Sequence, residues 1–275
     1  MIKYSIITYF KVRWKKWIKV TLILFFIFIL LRRIIPDVFN VPSGGKLKIW
    51  DFVFSCLSEP IIFILVIPIL YVYLISDIII SDCKAGYINF ILSRSNNRVE
   101  YFLSKVIIIL LTSNLFILLC LIILVSIGML YRMPFAGGNY NIVYIAIKSG
   151  EGVLGLLAKQ YGLMVLELQF MGTFMIIMSL VLRHSIYNYI ILFLFIVESH
   201  HTIFNSHKRL PISVLSQSSI YFHIPYHKYV VIKDVSDVPN IFTVQYSTIF
   251  LVVLISICIA MGCIRAKKMC LSSEE

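Results

Sequence analysis

The sequence predicts an all-α membrane protein: a single transmembrane domain, residues 1–275, of six spans behind an amphipathic amino-terminal helix, with both termini cytoplasmic. Three observations predict it. Of the 275 residues 60% are hydrophobic and 14% charged, with a mean hydropathy of +0.94, whereas a soluble domain carries about 25% charged residues. The apolar residues gather into runs such as 60–76 and 106–131, of 17 and 26 residues without a charge. A helix rising 1.5 Å per residue needs about 20 residues to cross ~30 Å of hydrocarbon. The 25 Lys and Arg residues sit in short clusters beside those runs, which is the pattern of cytoplasmic loop charge and not of a nucleic-acid-binding face.

Residues 1–19 place Ile2, Ile6, Phe10, Trp14 and Trp17 at spacings of three and four, with Lys3, Lys11, Arg13, Lys15, Lys16 and Lys19 on the other faces. This is an amphipathic helix for the membrane interface. A basic region before an apolar run also opens a signal peptide, but Arg32-Arg33 and the lack of a small-x-small cleavage site speak against one. In the first span only residues 20–31 are free of charge, which covers about 18 Å. The span therefore needs residues 17–35, with Lys19 and Arg32-Arg33 snorkelling to opposite interfaces, and Pro36 is expected to end it. Residues 37–51, with Pro42-Ser43-Gly44-Gly45, read as an outer loop.

The second span, 60–76, carries Pro68 at its middle, where a kink is expected. The third, 106–131, carries Asn114, by default an interhelical hydrogen-bonding residue. A second outer segment leads to the fourth span, 160–182, and the basic turn Arg183-His184 leads into the fifth, which starts at Ser185 and must continue through His201 to be long enough. Residues 198–238 form an extracellular cap before the last span, 239–264, and the basic tail. The cap holds His200, His201, His207, His223 and His227, five of the six histidines, but the spacings fit no ligand set and Pro225 interrupts His223-x-x-x-His227. Short surface helices resting at the outer interface, with no metal, are expected there. The six cysteines form no CxxC and read as small core residues. With the amino end inside, 14 Lys and Arg face the cytoplasm and 11 the longer outer segments, which supports that orientation.

Glu167 lies inside the fourth span, where a lone carboxylate is costly unless paired or facing water. It is expected to face the bundle interior and to meet Arg32, Arg33 or a wet cavity, or else to snorkel toward Lys159. Glu167, Arg32, Arg33 and Asn114 are the candidates for a substrate path.

Between the second and third spans lies a charged island, residues 82–105, with Asp82, Gly86, Ile91-Leu92-Ser93, Arg98 and Lys105 in order. This pattern resembles the permeases of type-2 ABC transporters, in which an acidic residue and Gly end the second span, a short Ser/Pro/Arg segment follows and Lys opens the third. Where the family commonly has Pro-x-Ser-Arg, this chain has Ser95-Asn96-Asn97-Arg98, so Arg98 matches and the Pro does not. The length and the long loop before the last span are most similar to peptide or lantibiotic exporters and immunity permeases. The resemblance implies that the island is a coupling helix docking in a separate ATP-binding subunit through Asp82, Gly86, Phe90, Ile91, Arg94, Arg98 and Lys105. It further implies that residues 1–19 are an elbow helix, and that the permease pairs with a second copy or a homologous permease in the plasma membrane.

Neither a Walker Gly-x-x-x-x-Gly-Lys nor His-Glu-x-x-His nor Gly-x-Ser-x-Gly occurs in the chain. No enzymatic activity and no cofactor are therefore expected, and any ATP hydrolysis would belong to another chain. A secondary transporter would show charge at mid-membrane and a repeat of the first half in the second, and no such repeat is seen. A membrane-embedded enzyme or assembly factor would need paired carboxylates or a Cys/His pair.

Overall fold

The amino-terminal third of the chain folds differently from its expected plan, and for simple backbone reasons. The computed structural model describes residues 2–38, 47–79, 98–135, 137–138, 141–148, 150–182, 184–226 and 238–267. Helix α1, Ile2–Val38, is uninterrupted over 37 residues. The amphipathic stretch and the first span are one helix, because no Gly or Pro separates them before Pro36. Pro36 sits in the last turn, and the helix outlasts it by two residues.

Of the expected outer loop at 37–51, residues 37–38 belong to α1, 49–51 to helix α2, Ile49–Ser58, whose residues 51–58 are all buried, and 39–46 lie outside the described residues. Next come a π-helical turn, Ile61–Val66, and helix α3, Ile67–Ile75, and the two halves meet at 59°. The bend lies at Glu59-Pro60 and not at Pro68, which sits in the first turn of α3. The preceding wide turn, with the Ile67 N–H donating to the Ile62 carbonyl, makes room for a proline ring that would otherwise strike the carbonyl four residues back.

Four more long helices follow: α4, Arg98–Leu130; α6, Val153–Leu182; α7, Ile186–Asn205; and α8, Val244–Lys267, with the short α5, Asn141–Lys148, before α6. Each of the four is long and apolar enough to cross a membrane, and the bent α2–α3 pair makes a fifth if it counts as one span. Helix α1 does not meet the same test, because Lys19 and Arg32-Arg33 bracket its apolar centre. Helix α7 runs past His201 to Asn205 and turns Ile190, Phe193, Leu194 and Val197 outward. An outer surface of that composition suits hydrocarbon and not water. Among the described residues there is no strand, only one isolated bridge between Ile224 and Thr243.

Helix α6 is the hub, packed by α4, α7 and α8. Close approach is bought by small residues. A Cβ on Gly172 of α6 would lie 2.7 Å from Ile109 and 2.9 Å from the Tyr71 hydroxyl, and one on Gly262 of α8 would run into the Phe102 ring. The cap also departs from expectation. Residues 210–220 are buried except for Ile212, so this segment inserts into the bundle where surface helices were expected.

Candidate functional site

Two buried polar clusters occupy the bundle. The first lies where α3 gives way to the island. Asp77 is the first charged residue after the apolar run of the second span, and α1 meets it with two cations. Arg13 Nη1 is 2.5 Å from Asp77 Oδ1, and Lys16 Nζ is 3.0 and 3.1 Å from its two oxygens. Arg13 also donates to the Leu74 carbonyl at 3.0 Å, satisfying an orphan acceptor at the end of α3. Burial alone would push the Asp77 carboxyl up, but Arg13 and Lys16 outweigh it and hold it below the usual carboxylate range. On the other side Asn188 of α7 donates to the Ser76 carbonyl at 3.0 Å and to Ser179 of α6 at 2.9 Å. The last turn of α3 is thus held by α1 on one flank and by α7 and α6 on the other.

Of the residues assigned to coupling, Asp82, Gly86, Phe90, Ile91 and Arg94 lie outside the described residues. Arg98 opens α4 and is half-buried. Lys105, 6% exposed, sits in the second turn of α4 with its Nζ 5.0 Å from the centre of the Tyr101 ring. Both are helical, so the segment linking α3 to α4 is shorter than the island read from sequence.

The second cluster joins the inserted cap segment to α6. Gln160 and Glu167 are seven residues apart, two turns on one face, and both meet the segment near Ser218. Gln160 Nε2 donates to the Ser218 carbonyl at 2.7 Å and its Oε1 accepts from the Ile220 N–H at 3.0 Å. Glu167, 1% exposed, lies against Ser218, and its Oε2 has no partner among the described residues. The segment holds its own shape through Gln217, whose amide donates to the carbonyls of Leu210, Pro211 and Ser213. His223 closes it against α8, with Nδ1 2.8 Å from the Ser219 carbonyl and Nε2 2.6 Å from Ser247 Oγ. A carbonyl only accepts, so Nδ1 carries the proton and Nε2 accepts from Ser247. Burial pushes the His223 pKa down to about 4, which keeps the ring neutral.

The other polar candidates are placed apart from Glu167. The Arg32 guanidinium lies 3.7 Å from the centre of the Tyr131 ring, and Arg33 is exposed. Asn114 ties α4 to α6, its Oδ1 accepting from the Tyr161 hydroxyl at 3.0 Å. Lys159 pairs with Glu151, 2.5 Å away. The neighbour of Glu167 is the cap, because 210–220 folds inward. His200 and His201 are exposed on α7, His207 is half-buried, and His227 lies outside the described residues. Among the described residues no three of His, Cys, Asp and Glu come together as metal ligands.

A protein-family profile, described as protein of unknown function (DUF2705), matches residues 17–270. The chain belongs to the DUF2705 family. No curated protein and no solved structure matches it. The DUF2705 match takes in the whole Glu167 cluster and Asp77, and begins just after Arg13 and Lys16. In this DUF2705 chain the residues that sequence reading missed are Asp77 and Arg13, Gln160, Gln217, and the His223–Ser247 pair. Asp77 had a signal, the first charge after an apolar run. The others had none, since their partners are set by how the cap turns inward.

Proposed function

We propose that this chain is the membrane-spanning permease subunit of an ATP-driven transporter of the type-2 ABC class. It lies in the cell membrane with both termini in the cytoplasm, works as a dimer with a second copy or a homologous permease, and does no chemistry of its own. A separate ATP-binding subunit hydrolyses ATP and pushes on the island, biasing an equilibrium between two packings of the helices. The substrate class is a peptide or another amphipathic compound, and the direction is export.

One observation carries the reading. The end of α3, just ahead of the island, is tied through Asp77 to Arg13 and Lys16 of α1 and through Ser76 to Asn188 of α7. A displacement applied to the island would therefore reach α1 and α7 together, as a coupling element requires.

The test is a Phe90→Ala, Arg98→Ala double variant expressed beside a Walker-motif ATPase, which this reading expects the neighbouring gene to encode. Copurification of that ATPase and substrate-stimulated hydrolysis should both fall, while membrane insertion stays as in the wild type. Unchanged binding and unchanged stimulation would end the coupling assignment. A secondary transporter is the second reading, favoured by the buried Glu167 carboxylate, since such groups line ion paths. Transport that persists without ATP and collapses with the ion gradient would select it.

A further inference from the structure

Taken as one span, the bent α2–α3 pair is broken inside the membrane. Residues 61–75 rise about 22 Å from the Asp77 end, so the break at Glu59-Pro60 falls within ~30 Å of hydrocarbon. The last carbonyls of a helix have no N–H of their own to answer them, and the helix dipole makes that end negative. Pro60 has no N–H to offer them. Ser58, in the last turn of α2, is 5% exposed, and its Oγ has no hydrogen-bond partner. Glu59 follows it, half-buried, and among the described residues no hydrogen bond or ion pair reaches its carboxylate. A carboxylate at such a depth is costly until something positive answers it.

The inserted cap straddles this break. Phe222 meets Phe63, past the break, with ring centres 6.0 Å apart, and Ile220 and Tyr221 pack in the cluster that holds Phe54, ahead of it. The Glu59 charge acts on the Tyr221 hydroxyl. The groups gathered here are a carboxylate, hydroxyls and helix-end carbonyls, so their complement is a positive group that brings N–H donors. A hard metal ion takes about six oxygens, and among the described residues no three of His, Cys, Asp and Glu come together. We propose that the break between α2 and α3 binds a primary ammonium group on Glu59 and Ser58, with the Tyr221 hydroxyl beside them. This deepens the export reading, on which the substrate role rests, to compounds with a primary amine, such as the amino end or a lysine of a peptide. The binding itself needs no ATPase.

The experiment uses the full chain, purified in mild detergent and titrated at neutral pH with phenethylammonium or with 2-phenylethanol, its uncharged counterpart, by calorimetry against empty micelles. The wild type should bind one phenethylammonium per chain, about tenfold or more tightly than 2-phenylethanol. Glu59→Gln should weaken that binding about tenfold, and Ser58→Ala and Tyr221→Phe about threefold each, with melting curves like the wild type. Should Glu59→Gln fail to fold, the other two variants decide. Equal affinity for the two probes, or undiminished affinity in the variants, would overturn the proposal. Displacement of the probe by sodium, exchanged for choline at constant ionic strength, would also overturn it by making the break a metal-ion site. Loss of ATPase association in the Phe90→Ala, Arg98→Ala variant leaves this binding in place, and failure of the binding leaves the coupling test standing, so the two readings fall separately.

Discussion

The Arg13 guanidinium lies 2.5 Å from the Asp77 carboxylate, joining positions 64 residues apart in the chain. Arg13 is 5% exposed, whereas the Asp77 side chain is 37% exposed, so the cation is the deeply buried partner. Removing the carboxylate takes the nearest anion from a buried charge that otherwise donates to the Leu74 carbonyl and lies over the Tyr9 ring.

Asp77→Asn should therefore destabilise the protein by about 1–2 kcal/mol, the discount from a fully buried pair reflecting the exposure of Asp77. Thermal unfolding in detergent is the measurement. Arg13→Met, Asp77→Leu together should recover most of the loss, because no charge is then left buried. A double variant no more stable than Asp77→Asn would contradict the pairing as the source of the effect.

His223 makes stability depend on pH in a definite direction. Its folded pKa, about 4, lies below the ordinary value of 6.5, so the folded state resists protonation that the unfolded state accepts. The contribution is fully present above about pH 6.5 and is lost as pH falls toward 4, to the extent of about 3 kcal/mol. His223→Asn should be less stable than the wild type at pH 7.5 yet show a shallower decline between pH 6.5 and 4.5. Parallel declines for the two proteins would show that other groups govern the acid limb.

Glu167 separates packing from charge. Glu167→Gln keeps the shape and a group able to meet Ser218, and should change stability by less than about 1 kcal/mol. Glu167→Ala opens a cavity under the cap and removes the carboxylate that lies against Ser218, and should cost about 2–3 kcal/mol. If the carboxylate serves transport, Glu167→Gln alone will reduce efflux in vesicles while its melting curve matches the wild type. Full efflux by Glu167→Gln would assign the residue to packing.

Gly262 and Gly172 set how near the helices come. Gly262→Val would drive a side chain into Phe102, and Gly172→Val would meet Ile109 and Tyr71. Each should destabilise by about 1–3 kcal/mol, the usual result of overpacking. Gly162→Val, with nothing within 4 Å of its Cβ, is the control and should be near neutral.

Much of the helical plan is legible in the chain because it depends on local facts. The apolar runs at 106–131 and 160–182 became α4 and α6, with α6 starting seven residues earlier. The need for the fifth span to pass His201 also followed from length alone. Asn114 as an interhelical tie could be read from an amide in an apolar run. Glu167 was visible as an expensive residue, since any carboxylate among apolar neighbours must be answered somehow.

Only the tertiary structure decided what answers it. Ser213, Ser216, Gln217, Ser218 and Ser219 are the residues of a surface loop by composition, and nothing local says that they turn inward. They do so because Ser216, Gln217 and Ser218 find carbonyls in the same segment, Ser213 finds Glu198 and Gln160 meets the segment from across, which makes burial tolerable. The bend at Glu59-Pro60 was hidden for the same kind of reason. Pro68 is the more obvious breaker in the run, but a π-helical turn absorbed it, and the angle went where packing of α2 required it. Sequence alone determined which stretches must leave water; which polar groups go with them depended on partners that the fold brings together from 24 to 112 residues away.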